Sequence, residues 1–271
     1  MTRRELEGRV VLVTGAAGGL GAALCRHFAA AGARIAALDL DTGKLEALVA
    51  ELRAGGTEAL AIYGDIADPA ACKEAVAKTL AHFGALDGLI NNAGISARSL
   101  LIDTDPAVIR RVMEVNFFGA ANLTRAVLDA IVARRGFIVA VSSVAGFSPL
   151  LGRTAYAASK HALHGFFDSL RSEMAGTGVG VIVVCPSFIR TGIGSAATDG
   201  SGAPANSARL TTGGESAPED IAARIVAAVV DGQDLLLPDA TSRKAWWLSR
   251  LAPRLYARIM RRRVGGEFSR A

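Results

Sequence analysis

Short apolar segments alternate with helical segments along most of the chain, and this alternation constrains the fold more than any other feature. The apolar segments are uninterrupted, which is typical of parallel strands that are covered on both faces. They lie at Val10–Val13, Ile35–Leu38, Ala59–Tyr63, Gly88–Asn91, Gly136–Val141 and Val179–Val184. The predicted helices between them cover 19–31, 42–54, 69–83, 105–133 and 155–175. The pattern predicts an α/β fold, a doubly wound parallel sheet in three α/β/α layers, with ligands bound beyond the carboxyl ends of the strands.

The size and composition fit one large domain, which we predict over residues 1–240. The chain has 271 residues, of which 51% are hydrophobic. Its three cysteines are scattered and odd in number, which suits a reducing compartment and argues against disulfides or a zinc site. No apolar run approaches the roughly 20 residues that span a bilayer, and the polar N-terminus predicts no signal peptide. We therefore expect a cytoplasmic protein without a metal site.

A glycine-rich turn follows the first predicted strand. Gly15, Gly19 and Gly21 stand between that strand and an alanine-rich helix, with Leu20 inside the turn. Glycines there allow a tight turn and a close backbone approach, and the helix N-terminus attracts a pyrophosphate. A glycine-rich turn without a ligand is the alternative, but the position after a first strand favours a dinucleotide site in a Rossmann fold.

Asp39, at the end of the second predicted strand, bears on which dinucleotide is bound. A carboxylate at this position accepts hydrogen bonds from both ribose hydroxyls of adenosine and repels a 2′-phosphate. No Arg or Lys stands at 16–18 or at position 40 to bind that phosphate. The sequence therefore favours NAD over NADP, whereas the neighbouring Asp41 is predicted to cap the next helix.

Tyr156 and Lys160 are four residues apart on a predicted helix, so both side chains lie on one face. Hydride transfer to a carbonyl leaves an alkoxide that needs a proton, and tyrosine, with a pKa of about 10, is ordinarily a poor proton donor and acceptor at neutral pH. A nearby ammonium and a positive nicotinamide ring bring the pKa of such a tyrosine toward the working range. We predict Tyr156 as the acid/base and Lys160 as the group that tunes it and holds the nicotinamide ribose.

These motifs, in this order, resemble the short-chain dehydrogenase/reductase family in its compact single-domain form, over about residues 6–240. The resemblance implies that Asp65 and Ile66 contact adenine, that Asn91–Gly94 packs beside the cofactor, and that the Thr of Pro186–Thr191 binds the carboxamide, although Ser187 replaces the usual glycine. The predicted cofactor site comprises Gly15, Gly19, Leu20, Gly21, Asp39, Asp65, Ile66, Asn92, Gly94, Tyr156, Lys160, Ile189 and Thr191.

The same resemblance adds two catalytic residues. Ser143 has the spacing from Tyr156 of the family serine that donates to the substrate oxygen, and its neighbour Ser142 fits that spacing less well. Asn116 matches the family asparagine that anchors a water near the lysine in a proton relay. The family also forms homodimers or homotetramers, in which the helix carrying His161 and His164 is the expected interface.

The predicted substrate is an apolar secondary alcohol or ketone. The segment from Tyr156 to Arg171 resembles family branches that act on steroids, retinoids and similar lipids. The predicted pocket wall, with Ser143, consists of the apolar residues Ile95, Phe147, Leu150, Leu151 and Phe188. Two alternatives are an NADPH-linked 3-oxoacyl or carbonyl reductase and, from another class, a nucleotide-sensing or scaffold protein without turnover.

Two further segments depart from the regular pattern. Residues 192–217 are rich in small residues and are predicted to form a lid over the ligand site. Residues 241–271 form a basic amphipathic tail with eight Lys or Arg and no acid up to Gly266, whereas the rest of the chain is net acidic, which argues against nucleic-acid binding. Trp247, Leu251, Leu255 and Ile259 form an apolar stripe in which Pro253 begins a second helix or makes a kink. The stripe either packs over the pocket or a partner subunit, or makes a peripheral membrane contact through 241–263.

Overall fold

A computed structural model describes residues 3–194, 196–205 and 214–265. All its strands belong to one parallel sheet in the order β3-β2-β1-β4-β5-β6-β7. The strands are β1 Val10–Thr14, β2 Arg34–Asp39, β3 Ala59–Tyr63, β4 Gly88–Asn91, β5 Phe137–Val141, β6 Gly180–Val184 and β7 Leu235–Leu236. The predicted doubly wound sheet is confirmed, with six strands where the apolar segments lie and one short additional strand.

The helices occupy the predicted segments with one internal change. They are α1 Gly19–Ala30, α2 Thr42–Ala54, α3 Pro69–Phe83, α4 Pro106–Met113, α5 Gly119–Ala133, α6 Thr154–Glu173, α7 Pro218–Asp231, α8 Ala240–Leu251 and α9 Pro253–Val264. A π-helical turn, Glu114–Phe118, joins α4 to α5, so the helix predicted over 105–133 contains a wider turn in its middle. Asp41 caps α2 as predicted, because its side chain accepts a hydrogen bond from Lys44 N at 3.1 Å.

The sheet separates two apolar layers, which makes the predicted three-layer α/β/α arrangement. In β1, Val11 and Val13 face the layer formed with α1, α2 and α7, whereas Val10 and Leu12 face the layer formed with α3, α5 and α6. All four side chains are fully buried, since every strand in the middle of the sheet is covered on both sides. The loops that follow β1, β4 and β5 are therefore attached to strands that are tightly packed on both faces.

A buried carboxylate, Asp87, joins neighbouring strands at the end of the sheet where β1, β4 and β5 begin. Asp87, directly before β4, accepts hydrogen bonds from Val10 N at 3.0 Å, from Arg9 at 2.7 Å and from Arg134 at 2.9 Å. Burial raises the pKa of this carboxyl, but the three hydrogen bonds outweigh burial and hold the pKa below its ordinary value. Asp87 therefore links the starts of β1 and β5, at the end of the sheet away from the carboxyl ends of the strands.

The tail forms two helices that pack on the body of the protein. Ala245, Tyr256 and Met260 are buried against Val144, Phe147 and Leu150. The adjacent row points outward, with Trp247 62%, Leu251 78% and Leu255 45% exposed, and we call these three residues the outer stripe. Pro253 begins α9, as one of the two sequence interpretations predicts. Among the described helices none combines the length and the apolar character that crossing a membrane requires.

Candidate active site

A cavity of about 490 Å³ opens beyond the carboxyl ends of β1, β4 and β5, where a doubly wound sheet binds its ligands. Its lining includes every residue that the sequence predicts to bind the cofactor, from the glycine turn after β1 to Thr191 after β6. The structure thus brings residues from the whole length of the body into one continuous site. The glycine turn and Asp39 lie toward one end of the cavity, and Tyr156 lies toward its other end.

The glycine turn leaves no space for side chains at two positions. Gly15 has φ of +64°, a conformation that favours glycine, and a Cβ atom there would lie 2.9 Å from Ala93 Cα. A Cβ at Gly21 would overlap the carbonyl oxygen of Gly15. A Cβ at Gly19 would come within 3.2 Å of Thr191 Cγ2, so the turn approaches the predicted carboxamide-binding threonine closely. The result is a bare backbone cradle at the N-terminus of α1, which fits a pyrophosphate.

Hydrogen bonds between β1 and β4 hold this cradle in place. Asn92 Nδ2 donates to Thr14 O at 2.9 Å and to Gly15 O at 3.3 Å. The hydroxyl of Thr14 accepts from the backbone N–H groups of Asn92 and Ala93, both at 3.0 Å. Asn92 therefore acts on the nucleotide site by positioning the glycine turn.

The Asp39 carboxylate is fixed at the end of β2 by three backbone groups. Oδ2 accepts from Ala17 N at 2.9 Å, and Oδ1 accepts from Leu40 N at 2.7 Å and Asp41 N at 3.0 Å. These bonds fix the orientation of the carboxylate beside the glycine turn. Sequence reasoning missed Lys44, which also lines the cavity and donates to Asp41 Oδ2 at 2.6 Å, so a cation is present near this carboxylate.

The predicted adenine contacts lie on the loop after β3. Asp65 accepts from Ala67 N at 2.9 Å and pairs with Arg111 at 3.3 Å, and both side chains line the cavity. Ile66 lies against the start of α5, since a Cβ at Gly119 would come within 2.7 Å of Ile66 Cδ1. The loop thus presents Ile66 and the ion pair between Asp65 and Arg111 to the cavity.

Tyr156 and Lys160 share one face of α6 and both line the cavity. The ammonium of Lys160 lies 5.8 Å from the centre of the Tyr156 ring and donates to Val141 O, at the end of β5, at 2.9 Å. Burial lowers the pKa of Lys160 to about 8, because a charged amine loses its hydration in this site. The lysine is therefore a desolvated cation held beside a phenol.

Asn116 lies in the π-helical turn and contacts the site from behind. Its Oδ1 accepts from Ile95 N at 2.8 Å, and its Nδ2 donates to Ile95 O and to Ser159 Oγ, both at 3.0 Å. Asn116 is 1% exposed and does not belong to the cavity lining, in contrast to the other three predicted catalytic residues. A Cβ at Gly94 would lie 3.1 Å from Asn116 Oδ1 and 3.6 Å from Lys160 Nζ, so both polar atoms border the position that this glycine leaves free.

The two serines after β5 have different environments. Ser142 is buried, and its hydroxyl donates to Lys160 O at 3.2 Å, so its hydrogen bond supports α6. Both serines line the cavity, but Ser143 is half-buried and its hydroxyl accepts from Ala145 N at 3.2 Å, which leaves the hydroxyl proton available to a ligand. This difference agrees with the choice of Ser143 from spacing.

The predicted substrate wall is only partly in the cavity. Ile95, Leu150 and Phe188 line it, whereas Phe147 and Leu151 are not among the described lining residues. Phe147 instead packs edge-on against Trp246 of α8, with ring centres 4.8 Å apart, because the short 3₁₀ turn Val144–Gly146 directs it toward the tail. Phe147 therefore supports the packing of the tail.

Two arginines in the wall were missed by sequence reasoning. Arg98 and Arg153 are 6% and 7% exposed, and both line the cavity together with the apolar wall residues. Neither belongs to a motif, although Arg153 stands three residues before Tyr156 and could have been noticed for that reason. The wall therefore combines apolar and cationic groups.

The predicted lid is described in part. Ala197 is fully buried, and the segment 196–205 pairs with the loop after β4 through Thr198 N donating to Ser96 O at 3.0 Å and Arg98 N donating to Thr198 O at 2.8 Å. Residue 195 and residues 206–213 of the predicted lid lie outside the described residues. The described part contributes Gly192–Gly194, Ala196 and Ala197 to the lining, and the lid remains a prediction.

Cys185, which is buried, lies beside the partly buried His164, with Sγ and Nε2 3.4 Å apart. Burial raises the pKa of Cys185 to about 12 and lowers the pKa of His164 to about 4. A nucleophilic cysteine needs the opposite shifts, so this pair is structural. Across the described residues no group of histidine, cysteine or acidic side chains is arranged to hold a metal ion.

Comparison with known proteins agrees with this geometry. A family model described as short chain dehydrogenase matches residues 9–201. Dehydrogenase/reductase SDR family member 7B of Bos taurus is 40% identical over 98% of this chain and 84% of its own length, and an SDR family protein 7-like of Drosophila melanogaster is 37% identical over 97% and 82%. A crystal structure of a short chain dehydrogenase/reductase from Burkholderia phymatum in complex with NAD superposes with a TM-score of 0.83, at 26% identity over 93% of this chain and 96% of that one. The chain belongs to the short-chain dehydrogenase/reductase family of oxidoreductases.

Proposed function

We propose that the protein is an NAD(H)-dependent oxidoreductase that interconverts a secondary alcohol and a ketone, with Tyr156 as the acid/base. The observation that carries the proposal is that Ser143, Tyr156 and Lys160 line the same cavity as the glycine turn. A protein that only binds nucleotide has no need for a serine, a tyrosine and a desolvated lysine beyond the nucleotide cradle. This combination favours turnover over the sensing or scaffold alternative.

Each residue has a definite task in this reaction. The nicotinamide ring supplies or accepts the hydride when the cofactor is bound. Ser143 donates a hydrogen bond to the substrate oxygen, where negative charge develops during reduction. Tyr156 gives its proton to that oxygen in reduction and takes it back in oxidation. Lys160 stabilises the resulting phenolate with its positive charge, and Asn116 ties the loop after β4 to α6 through its hydrogen bonds with Ile95 and Ser159.

The test compares the native protein with Tyr156→Phe and with Tyr63→Phe as a matched control on an exposed tyrosine. Each is titrated with NADH and NADPH and assayed by nicotinamide absorbance on steroid, retinoid, acyl and small alcohols and ketones. We expect Tyr156→Phe to retain cofactor affinity and lose at least about a hundredfold in kcat/KM. Tight binding of NADH by the native protein without turnover of any substrate would favour the scaffold alternative.

The preference for NAD is proposed from Asp39. Its charge lies where a 2′-phosphate would sit, and two unit charges about 4 Å apart at an effective dielectric of about 20 repel by about 4 kcal/mol, which solvent reduces at this open edge. We expect Asp39→Ser to raise kcat/KM for NADPH relative to NADH by at least about tenfold. Asp41→Asn is the matched control, since it removes a neighbouring carboxylate from the same cavity. A native preference for NADPH, with Lys44 as the phosphate partner, would instead support the 3-oxoacyl or carbonyl reductase alternative.

The substrate proposal is an apolar alcohol or ketone. Ile95, Leu150 and Phe188 in the wall support it, whereas Arg98 and Arg153 are the reason to include acyl substrates with a charged end in the panel. A homodimer or homotetramer, proposed from the family resemblance, is tested by light scattering after size-exclusion chromatography. A monomer at assay concentrations would remove the oligomer from the proposal without affecting the reaction.

A further inference from the structure

Within the described residues, the outer stripe is not part of the apolar cluster that packs the tail on the body. Trp247, Leu251 and Leu255 are 62%, 78% and 45% exposed, whereas the packing of the tail is provided by the adjacent row. Trp246 shows the difference, because its ring packs on Phe147 while the next residue points to solvent. Three large apolar side chains are exposed on two adjoining short helices, and exposed apolar patches often mark an interaction site.

Basic residues surround this row. Eight basic residues of the tail are exposed, namely Arg243, Lys244, Arg250, Arg254, Arg258 and Arg261–Arg263. In the part of the chain that the structure covers, none of them makes an ion pair with an acid. The sequence between Ala240 and Gly265 contains no acid at all. The patch is therefore apolar in the middle and strongly positive at its margins.

We propose that the outer stripe and its basic margin dock on the surface of an anionic lipid bilayer. Tryptophan and leucine enter the boundary between head groups and acyl chains, and arginines bind the phosphates above it. A second copy of the chain is disfavoured as the occupant, since a twofold contact would place these cations against their own counterparts. Nucleic acid would neutralise the arginines but would leave the leucines without an apolar partner.

The docking surface lies directly above the loop that leads to the cavity. The inner face of the same helices covers Phe147 and Leu150, and Leu150 lines the cavity. The Tyr256 hydroxyl accepts a hydrogen bond from the hydroxyl of Ser148 at 3.0 Å, which ties α9 to that loop. Docking would therefore place this side of the substrate pocket close to the membrane, with the tail helices between them. Apolar compounds are concentrated in the membrane.

The test uses the full chain and vesicles with roughly 30% phosphatidylglycerol in phosphatidylcholine, compared with phosphatidylcholine alone. Co-sedimentation is measured for the native protein and for the triple variant Trp247→Ser, Leu251→Ser, Leu255→Ser. We expect the native protein to bind the anionic vesicles at least about tenfold more tightly than the neutral ones, and the triple variant to lose at least about tenfold in affinity. Raising the salt from about 0.05 M to about 0.5 M should weaken the binding of the native protein.

Two matched controls separate the surface from general effects. Leu101→Ser, Ile102→Ser removes an exposed apolar pair elsewhere, and Lys73→Gln, Lys78→Gln, Arg125→Gln removes three exposed cations outside the tail. Both controls should bind anionic vesicles like the native protein, whereas Arg254→Gln, Arg258→Gln, Arg261→Gln should not. Equal binding to neutral and anionic vesicles, or a triple stripe variant that binds as tightly as the native protein, would overturn the proposal. Because vesicle binding needs no substrate, the result is independent of the proposed activity.

Discussion

Replacing Lys160 by methionine should make the protein inactive and more stable. The lysine is almost entirely buried, and burial lowers its pKa from 10.5 to about 8. Since a tenfold change in proton affinity is worth about 1.4 kcal/mol, keeping this lysine charged in the folded state at pH 7 costs about 3 kcal/mol. Methionine has a similar volume, but it loses the hydrogen bond to Val141 O, worth about 0.5–1.5 kcal/mol. The expected net gain in the free energy of unfolding is about 1–3 kcal/mol at pH 7.

The pH dependence of this gain follows from the two pKa values of Lys160. Below about pH 8 the lysine is protonated in both the folded and the unfolded protein, so the full difference between the variants is present. Between about 8 and 10.5 the unfolded chain still binds the proton and the folded protein does not, so the native protein becomes more stable as the pH rises. The advantage of the methionine variant should therefore shrink across this window.

Urea unfolding followed by far-ultraviolet circular dichroism measures the difference at about pH 7 and about pH 9.5. Lys73→Met, on an exposed face of α3, serves as the matched control and should change stability by less than about 0.5 kcal/mol at either pH. A Lys160→Met protein that is less stable than the native one at pH 7, or a gain that is the same at both pH values, would refute the reasoning from desolvation.

Two further predictions concern the base of the sheet and the tail. Asp87→Ala should lower the free energy of unfolding by about 2 kcal/mol, because Val10 N–H and two partly exposed guanidinium groups lose their acceptor. Since the pKa of Asp87 is lowered in the folded protein, its contribution is present at neutral pH and is lost as the pH falls through that lowered pKa, so the variant should show a weaker acid dependence in urea unfolding. Tyr256→Phe removes the hydrogen bond to Ser148 and should cost about 1 kcal/mol in the same assay, with a higher KM for substrate and an unchanged KM for the cofactor.

Matched controls exist for both variants. Asp129→Ala removes an exposed aspartate from α5 and should leave both the unfolding free energy and its acid dependence as they are. Tyr63→Phe removes the hydroxyl of an exposed tyrosine far from the tail and should leave the KM for substrate unchanged. An Asp87→Ala protein as stable as the native one, or a Tyr256→Phe protein that raises the KM for cofactor instead, would contradict the contacts that we describe.

Much of the fold was predictable because it depends on local patterns. The uninterrupted apolar runs located six strands, and the glycine turn and the pair Tyr156 and Lys160 located the site without any tertiary information. The strand β7 was not predictable, because Leu235–Leu236 has only two residues and exists through its pairing with β6. Two residues are too few to display a period.

The orientation of side chains toward distant partners was the harder part. The periodicity of the tail identified an apolar stripe, but not that Tyr256 and Met260 in the next row would be the buried ones, since that depends on contacts with Phe147 more than a hundred residues earlier in the chain. The same contact explains why Phe147 is missing from the cavity wall. Arg98 and Arg153 lie in loops without a repeating pattern, so their burial follows only from the folded loops that enclose them.

The π-helical turn Glu114–Phe118 has a consequence for the rest of its helix. One additional residue in a turn rotates everything after it by about 100° relative to a continuous α-helix. As a result, Val108 and Val112 of α4 face the small cluster beside the cavity, while Leu123 and Val127 of α5 face the sheet. One continuous segment thus carries two amphipathic stripes that are out of phase. Deleting a single residue between 114 and 118 would convert the wide turn into an ordinary α-helical turn without rotating the two stripes, so the core contacts would be kept while the position of Asn116 beside the site would change.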